Sequence, residues 1–195
     1  MARCKEFDRD AVLDKAMEVF LHKGYEATSV QDLVTCMGIN RGSLYDTFGD
    51  KHSLFMAVLD RYRDVHANEQ LKVLLRSPEG IAAIHQFFVE IVEMRTHEDG
   101  CCGCLMVNST VELALHDDEA AGRVAAHLAS LEEAFYRALV RARKQGELGD
   151  RHNLRALARY LTNSVNGICV MAKISPDRQI LQDIANVTLS VLHCD

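Results

Sequence analysis

The chain has 195 residues, a formal net charge of −6 at pH 7, 48% hydrophobic residues and 26% charged residues. That length suits one or two domains with a buried core, and the composition excludes collagen-like, low-complexity and disordered classes. No apolar stretch approaches the roughly 18 residues of a membrane helix, and Met1 to Glu6 has no signal-peptide core, so a cytoplasmic setting with reduced thiols is expected.

Apolar residues recur at the helical spacing of three and four from end to end, and strand signals are nearly absent. Leu13, Ala16, Met17 and Phe20 predict a first helix that stops at Gly24. Val30, Leu33, Val34 and Met37 predict a second, stopped by Gly38 and opened by a capping box of Thr28 and Gln31. Asn40 caps a short third helix at Arg41–Phe48, and Asp50 caps a long fourth over about 51–75. Ser77-Pro78 and Ser175-Pro176 each read as an N-cap followed by a helix-opening proline. Between them come a stripe at Ile81, Ile84, Phe88 and Ile91, a connection over 97–104, and a short helix at Leu105–Leu115. A near-heptad seam follows from Val124 to Leu139, then two terminal seams, Leu154–Ile168 and Ile180–Val191. The expectation is an all-α fold of about nine helices. A helix-turn-helix domain at 1–50 precedes a helical sensing and dimerisation domain at 51–195.

The second and third helices flank the tight turn Met37-Gly38-Ile39-Asn40, which is the helix-turn-helix layout. Leu44 and Phe48 point inward. Arg41, Gly42, Ser43, Asp46 and Thr47 are left short or polar on the outer face, as a helix entering a major groove requires. Residues 1–52 carry seven Lys/Arg against nine Asp/Glu, a net of −2, so this domain binds DNA weakly on charge alone and needs a second copy.

The run Gly24-Tyr25-Glu26-Ala27-Thr28-Ser29-Val30, then Met37 to Tyr45, then Phe48-Gly49-Asp50-Lys51-His52-Ser53-Leu54-Phe55, resembles the DNA-binding domain of the TetR/AcrR regulators. The resemblance implies a DNA-binding transcriptional repressor that holds a palindromic operator as a homodimer. It implies phosphate contacts at Tyr45 and Lys51, with Thr28 and Ser29 similarly placed at the start of the second helix; on the outer face of the third, Gly42, Ser43 and Thr47 face the groove, and Arg41 either reads a guanine edge or binds phosphate. It also implies that the last two helices pair across a two-fold axis, here through Leu161, Val165, Ile168, Ile184, Val187 and Val191. Half-sites then lie about 34 Å apart. A small-molecule effector pocket among the middle helices is implied too, with Tyr62, Phe88, Ile91, Cys104, Asn108 and Val111 as candidate lining.

Cys101-Cys102-Gly103-Cys104 is the most unusual feature of the second half. Three readings stand: a thiol sensor, a soft-metal site and plain buried cysteines. In the first, Cys104 just before a helix is the reactive thiol and Cys102 resolves it. The second is disfavoured, because adjacent cysteines ligate one ion poorly, and no metal or cofactor is expected. Gly103-Cys104-Leu105-Met106-Val107-Asn108 resembles a subgroup of the same family that responds to electrophiles through a cysteine there. A small thiol redox enzyme using Cys101 to Cys104 is the alternative of a different class.

Overall fold

The computed structural model describes residues 7–97 and 103–192. Cys101 and Cys102, and with them the candidate resolving thiol, lie outside the described residues. The described residues form ten α-helices: α1 Arg9–Lys23, α2 Val30–Met37, α3 Arg41–Phe48, α4 Lys51–Tyr62, α5 Asn68–Arg76, α6 Gly80–Thr96, α7 Leu105–Leu113, α8 Asp118–Lys144, α9 Leu154–Ile174 and α10 Arg178–Ser190. A π-helical stretch, Arg63–Ala67, joins α4 to α5 without a break, so the two make one rod and the expected nine helical bodies result. Such π insertions concentrate at functional positions.

Side chains set most of the helix starts. Asp8, Asn40, Asp50, Asp117, Asn153 and Asp177 each accept backbone amides of the first turn that follows. At α2 the capping box is shifted by one residue from expectation. Ser29 Oγ accepts the Asp32 amide at 3.1 Å, and Asp32 Oδ2 accepts the Ser29 amide at 2.9 Å. Thr28 is instead buried and donates to the Gly24 carbonyl at 2.5 Å, closing the loop behind α1.

Both proline expectations also move by two residues. Pro78 and Pro176 precede their helices, and the caps are Glu79 and Asp177. Asp177 has the carboxylate to accept the Gln179 and Ile180 amides. At α6 the free amides find partners from afar: Gln145 Oε1 accepts from Gly80 at 3.3 Å and Glu147 Oε2 from Ile81 at 3.2 Å.

The first four helices close one apolar cluster. Phe20 of α1 meets Phe55 of α4 edge-on at 4.8 Å, and Leu33, Met37, Leu44 and Phe48 fill the space between. Helix α3 has only eight residues, too few to persist alone. Leu44 and Phe48, both buried, hold it with about 1.5–3 kcal/mol each.

In the rest of the chain α8 is the central element. It packs against α4, α5, α6, α7 and α9, while α10 rests on α6 and α9. Gly80 sits where α6 meets α8. A Cβ there would lie 2.4 Å from both the Ala138 carbonyl oxygen and the Ala142 nitrogen, so only glycine permits that approach. Phe87, Phe88 and Phe135 form an aromatic knot between the same two helices.

Candidate functional site

The outer face of the helix-turn-helix is arranged for a polar surface. Ser29, Arg41 and Gly42 are exposed, Ser43 and Thr47 half-buried, and Tyr45 is 43% exposed although aromatic. Thr47 donates its hydroxyl to the Ser43 carbonyl at 2.7 Å. Lys51 Nζ lies 4.3 Å from the centre of the Tyr25 ring, a cation–π contact that holds the ammonium at the start of α4. Of the candidate DNA residues that have a side chain, Thr28 alone keeps it buried. At 1% exposure only its backbone faces the α2 terminus.

Several polar contacts tie this unit to the remaining helices. Glu112 of α7 accepts the Tyr25 and Glu26 amides at 2.9 and 2.7 Å. His52 Nε2 and Asp117 Oδ2 lie 2.8 Å apart. Arg123 of α8 donates to Asp60 of α4 at 3.2 Å. Glu112 accounts for Gly24 as well: that glycine has φ +79°, and a Cβ on it would lie 2.9 Å from Glu112 Oε2.

The interior site lies where α4, α5, α6, α8, α9 and the head of α7 converge. It is a cavity of about 20 Å³, with Tyr62, Ile91, Arg95, Cys104, His127 and Cys169 in its lining. That is room for about one water molecule. An open groove of about 250 Å³ lies beside it and shares Tyr62, Gln70 and Arg95 with the cavity. Cys104 is the residue before α7, where unpaired amides and the helix dipole favour an anion. Tyr62 donates its phenol to Cys104 Sγ at 3.4 Å. The Cys169 thiol, the Arg95 charge, this phenol and the Val107 amide hold the Cys104 thiol well below its ordinary range, against the opposing effect of burial. Cys169 moves the other way and keeps its proton, because it donates to Cys104 and is itself buried. Burial and the neighbouring Cys104 charge push the Tyr62 phenol up, so it too remains a donor.

Three expected pocket residues lie elsewhere. Val111 is 82% exposed on the outer side of α7. Asn108 faces an open groove shared with Val111, where it accepts from Lys173 Nζ at 3.1 Å. Phe88 is buried in the aromatic knot, and its neighbour Phe87 faces the cavity instead. Arg95 and Cys169 were not anticipated. Arg95 does continue the apolar stripe of α6 at the i+4 position after Ile91, and Cys169 follows Val165 at the same interval on α9.

The terminal helices need a correction too. Leu161, Val165 and Ile168 are buried within the chain's own core, because their side of α9 faces α8. Ile184 and Val191 are half-buried. The outward apolar face carries Tyr160, Val170, Met171 and Ile174 on α9 and Ile180 and Val187 on α10.

Residues 12–58 match the family described as bacterial regulatory proteins, tetR family, and residues 78–188 match the tetracyclin repressor-like C-terminal domain. The chain belongs to the TetR family. It is 41% identical over 194 residues to the HTH-type transcriptional regulator YezE of Bacillus subtilis, covering 98% of this chain and 100% of that one. It is 34% identical over 188 residues to the HTH-type transcriptional repressor ComR of Escherichia coli, covering 96% and 90%. Among solved structures it resembles a cysteine mutant of the TetR family regulator CifR in complex with a 26-bp double-strand operator. That match has a TM-score of 0.88 and 27% identity, and it covers 98% of this chain and 100% of that one. As a TetR-family chain with its helix-turn-helix intact, this protein is a DNA-binding transcriptional regulator. These likenesses support the regulator and give none to the redox-enzyme alternative. Among the described residues no group of three His, Cys, Asp or Glu side chains could hold a metal ion, and no helix is long and apolar enough to cross a membrane.

Proposed function

We propose that this TetR-family regulator is a cytoplasmic repressor. Residues 1–50 bind a palindromic operator, and residues 51–195 dimerise and sense. Modification of Cys104, or a small effector entering beside it, releases the DNA. The observation that carries the sensing half is the Cys104 sulfur, buried at the head of α7 with the Tyr62 phenol donating to it. A plain core cysteine needs no such donors.

The route from thiol to DNA runs along α7. Cys104 opens this helix and Glu112 near its other end holds the loop between α1 and α2. A shift of α7 therefore moves the helix-turn-helix directly. A coupling of about 1–3 kcal/mol changes operator affinity 5- to 150-fold, which is enough for a switch. On the DNA side, Ser29, Arg41, Gly42, Ser43, Tyr45, Thr47 and Lys51 form the contact surface, and Thr28 contributes through its backbone.

The test is a gel-shift titration on the DNA flanking the protein's own gene, with diamide and then dithiothreitol. Binding lost with the oxidant and restored by the reductant is expected, with Cys104→Ser insensitive to both. Tyr45→Phe combined with Lys51→Ala is expected to weaken binding with the helical circular-dichroism spectrum unchanged. Binding indifferent to diamide in the wild type removes the thiol reading and leaves a non-covalent effector.

A further inference from the structure

Arg95 is 5% exposed on α6, yet it carries a full positive charge. The charge is firmly retained: burial acts against it, but the Cys169, Tyr62 and Cys104 groups outweigh burial and raise its pKa. Its Nη1 donates to the Gly103 carbonyl at 2.7 Å, while its Nε is buried with no hydrogen-bond partner. A buried guanidinium costs several kcal/mol unless something anionic faces it. The groups that act on it among the described residues are two thiols and a phenol, not carboxylates.

We propose that Arg95 is the positioning residue of the thiol site, the buried cation that shares its cavity with Cys104 and sets the reactivity of that sulfur. This inference rests on the sensor reading and deepens it. The charged and titratable groups that line the cavity with Cys104 are Tyr62 from α4, Arg95 from α6, His127 from α8 and Cys169 from α9, while α5 contributes only Gln70 and Leu71. Arg95 alone among them is a permanent cation. Burial pushes His127 down, so it stays neutral and leaves the charge of Arg95 unshared. Gly103 completes the arrangement. Its φ of +81° turns the carbonyl toward Arg95, and a Cβ there would lie 2.8 Å from Lys173 Cγ.

The pairing also explains how a small modification does large work. A soft alkylating agent such as iodoacetamide reacts with the thiolate in one displacement. The Sγ–C bond forms, the C–I bond breaks, and iodide leaves with the electron pair, so no proton is needed. The product thioether is neutral. Arg95 is then stranded without its anion while still bonded to the carbonyl one residue before Cys104. The disturbance falls at the first turn of α7, the helix whose far end holds Tyr25 and Glu26.

The test is the pH profile of Cys104 alkylation by iodoacetamide, followed by peptide mass spectrometry in the full-length wild type, Arg95→Gln and Arg95→Lys. The wild-type rate should change little between about pH 6 and 8, below the usual thiol pKa of about 8.5. In Arg95→Gln the rate should fall about tenfold per pH unit on the acid side. Arg95→Lys, which restores a cation, should recover the flat profile. A Gln profile superimposed on the wild type overturns the proposal. Should Arg95→Gln fail to fold, the ultraviolet thiolate absorbance of wild type minus Cys104→Ser decides. A thiolate at neutral pH, together with a flat profile in Arg95→Lys, supports the counter-ion, and a neutral thiol overturns it. Failure of the sensor reading looks different: the rates behave as described, but the alkylated protein still shifts operator DNA.

Discussion

Glu112 accepts the backbone amide of Tyr25 at 2.9 Å, and this bond spans 87 positions of the chain. The same carboxylate takes the Glu26 amide at 2.7 Å, and the Tyr25 ring in turn lies under Lys51. One acidic side chain on α7 thus sets both the loop before α2 and an ammonium at the head of α4.

Replacing Glu112 with Ala leaves two amides without their partner and unfastens α7 from the DNA-binding unit. Operator affinity should fall and thiol modification should no longer change it, because the link that transmits the change is gone. The measurement is a pair of operator titrations, before and after alkylation. An unaltered ratio of the two affinities would place the coupling in the His52–Asp117 or Asp60–Arg123 contacts instead.

Gly80→Ala should destabilise the fold without touching either site. The added methyl meets backbone on α8, not a flexible side chain, so relief requires α6 to move away. Overpacking of this kind costs about 1–3 kcal/mol. Urea unfolding monitored by circular dichroism reads it as a lower midpoint.

Charges on the two faces of the terminal helices should have different effects. Ile174 is 81% exposed and Val187 67%. Ile174→Asp with Val187→Asp should give a folded monomer by sedimentation. Val165→Asp buries a carboxylate among apolar groups and should lower the melting temperature before it reveals anything about assembly. A dimer of unchanged mass in the first variant would move the interface off this face.

Acid should loosen the junction around α4. The Arg61 guanidinium, hydrogen-bonded at 2.5 and 2.7 Å, lowers the Asp14 carboxyl below its ordinary value. The Ala120 amide and then His52 do the same for Asp117. A carboxyl depressed in the folded state adds stability that is complete above its unfolded pKa of about 3.9 and lost as pH falls through the folded value. The loss therefore begins near pH 4 and continues below it. Asp14→Asn should flatten this acid limb in a series of thermal melts, and an unchanged limb would assign it to other carboxylates.

The helices, their order and the helix-turn-helix were legible in the sequence because they depend on near neighbours. Periodicity of three and four needs only one turn, and Asn40 and Asp50 cap amides within three residues. Where local signals competed, the choice slipped by one or two positions. Thr28 and Ser29 are both capping residues, and the one with a loop carbonyl in reach turned inward.

The sequence by itself determined an all-helical TetR-family regulator with its helix-turn-helix, and it singled out Cys104 at the head of a helix. Only the tertiary structure decided which apolar side of α9 belongs to its own core, since a stripe of Leu161, Val165 and Ile168 reports that a face is buried, not by what. It alone brought Arg95, Cys104 and Cys169 from three separate helices to one cavity. The physical reason is range. Caps and stripes are fixed over a few residues of chain. A thiolate's counter-ion and a loop's carboxylate latch are fixed by how helices pack, and that packing is set by the whole core at once.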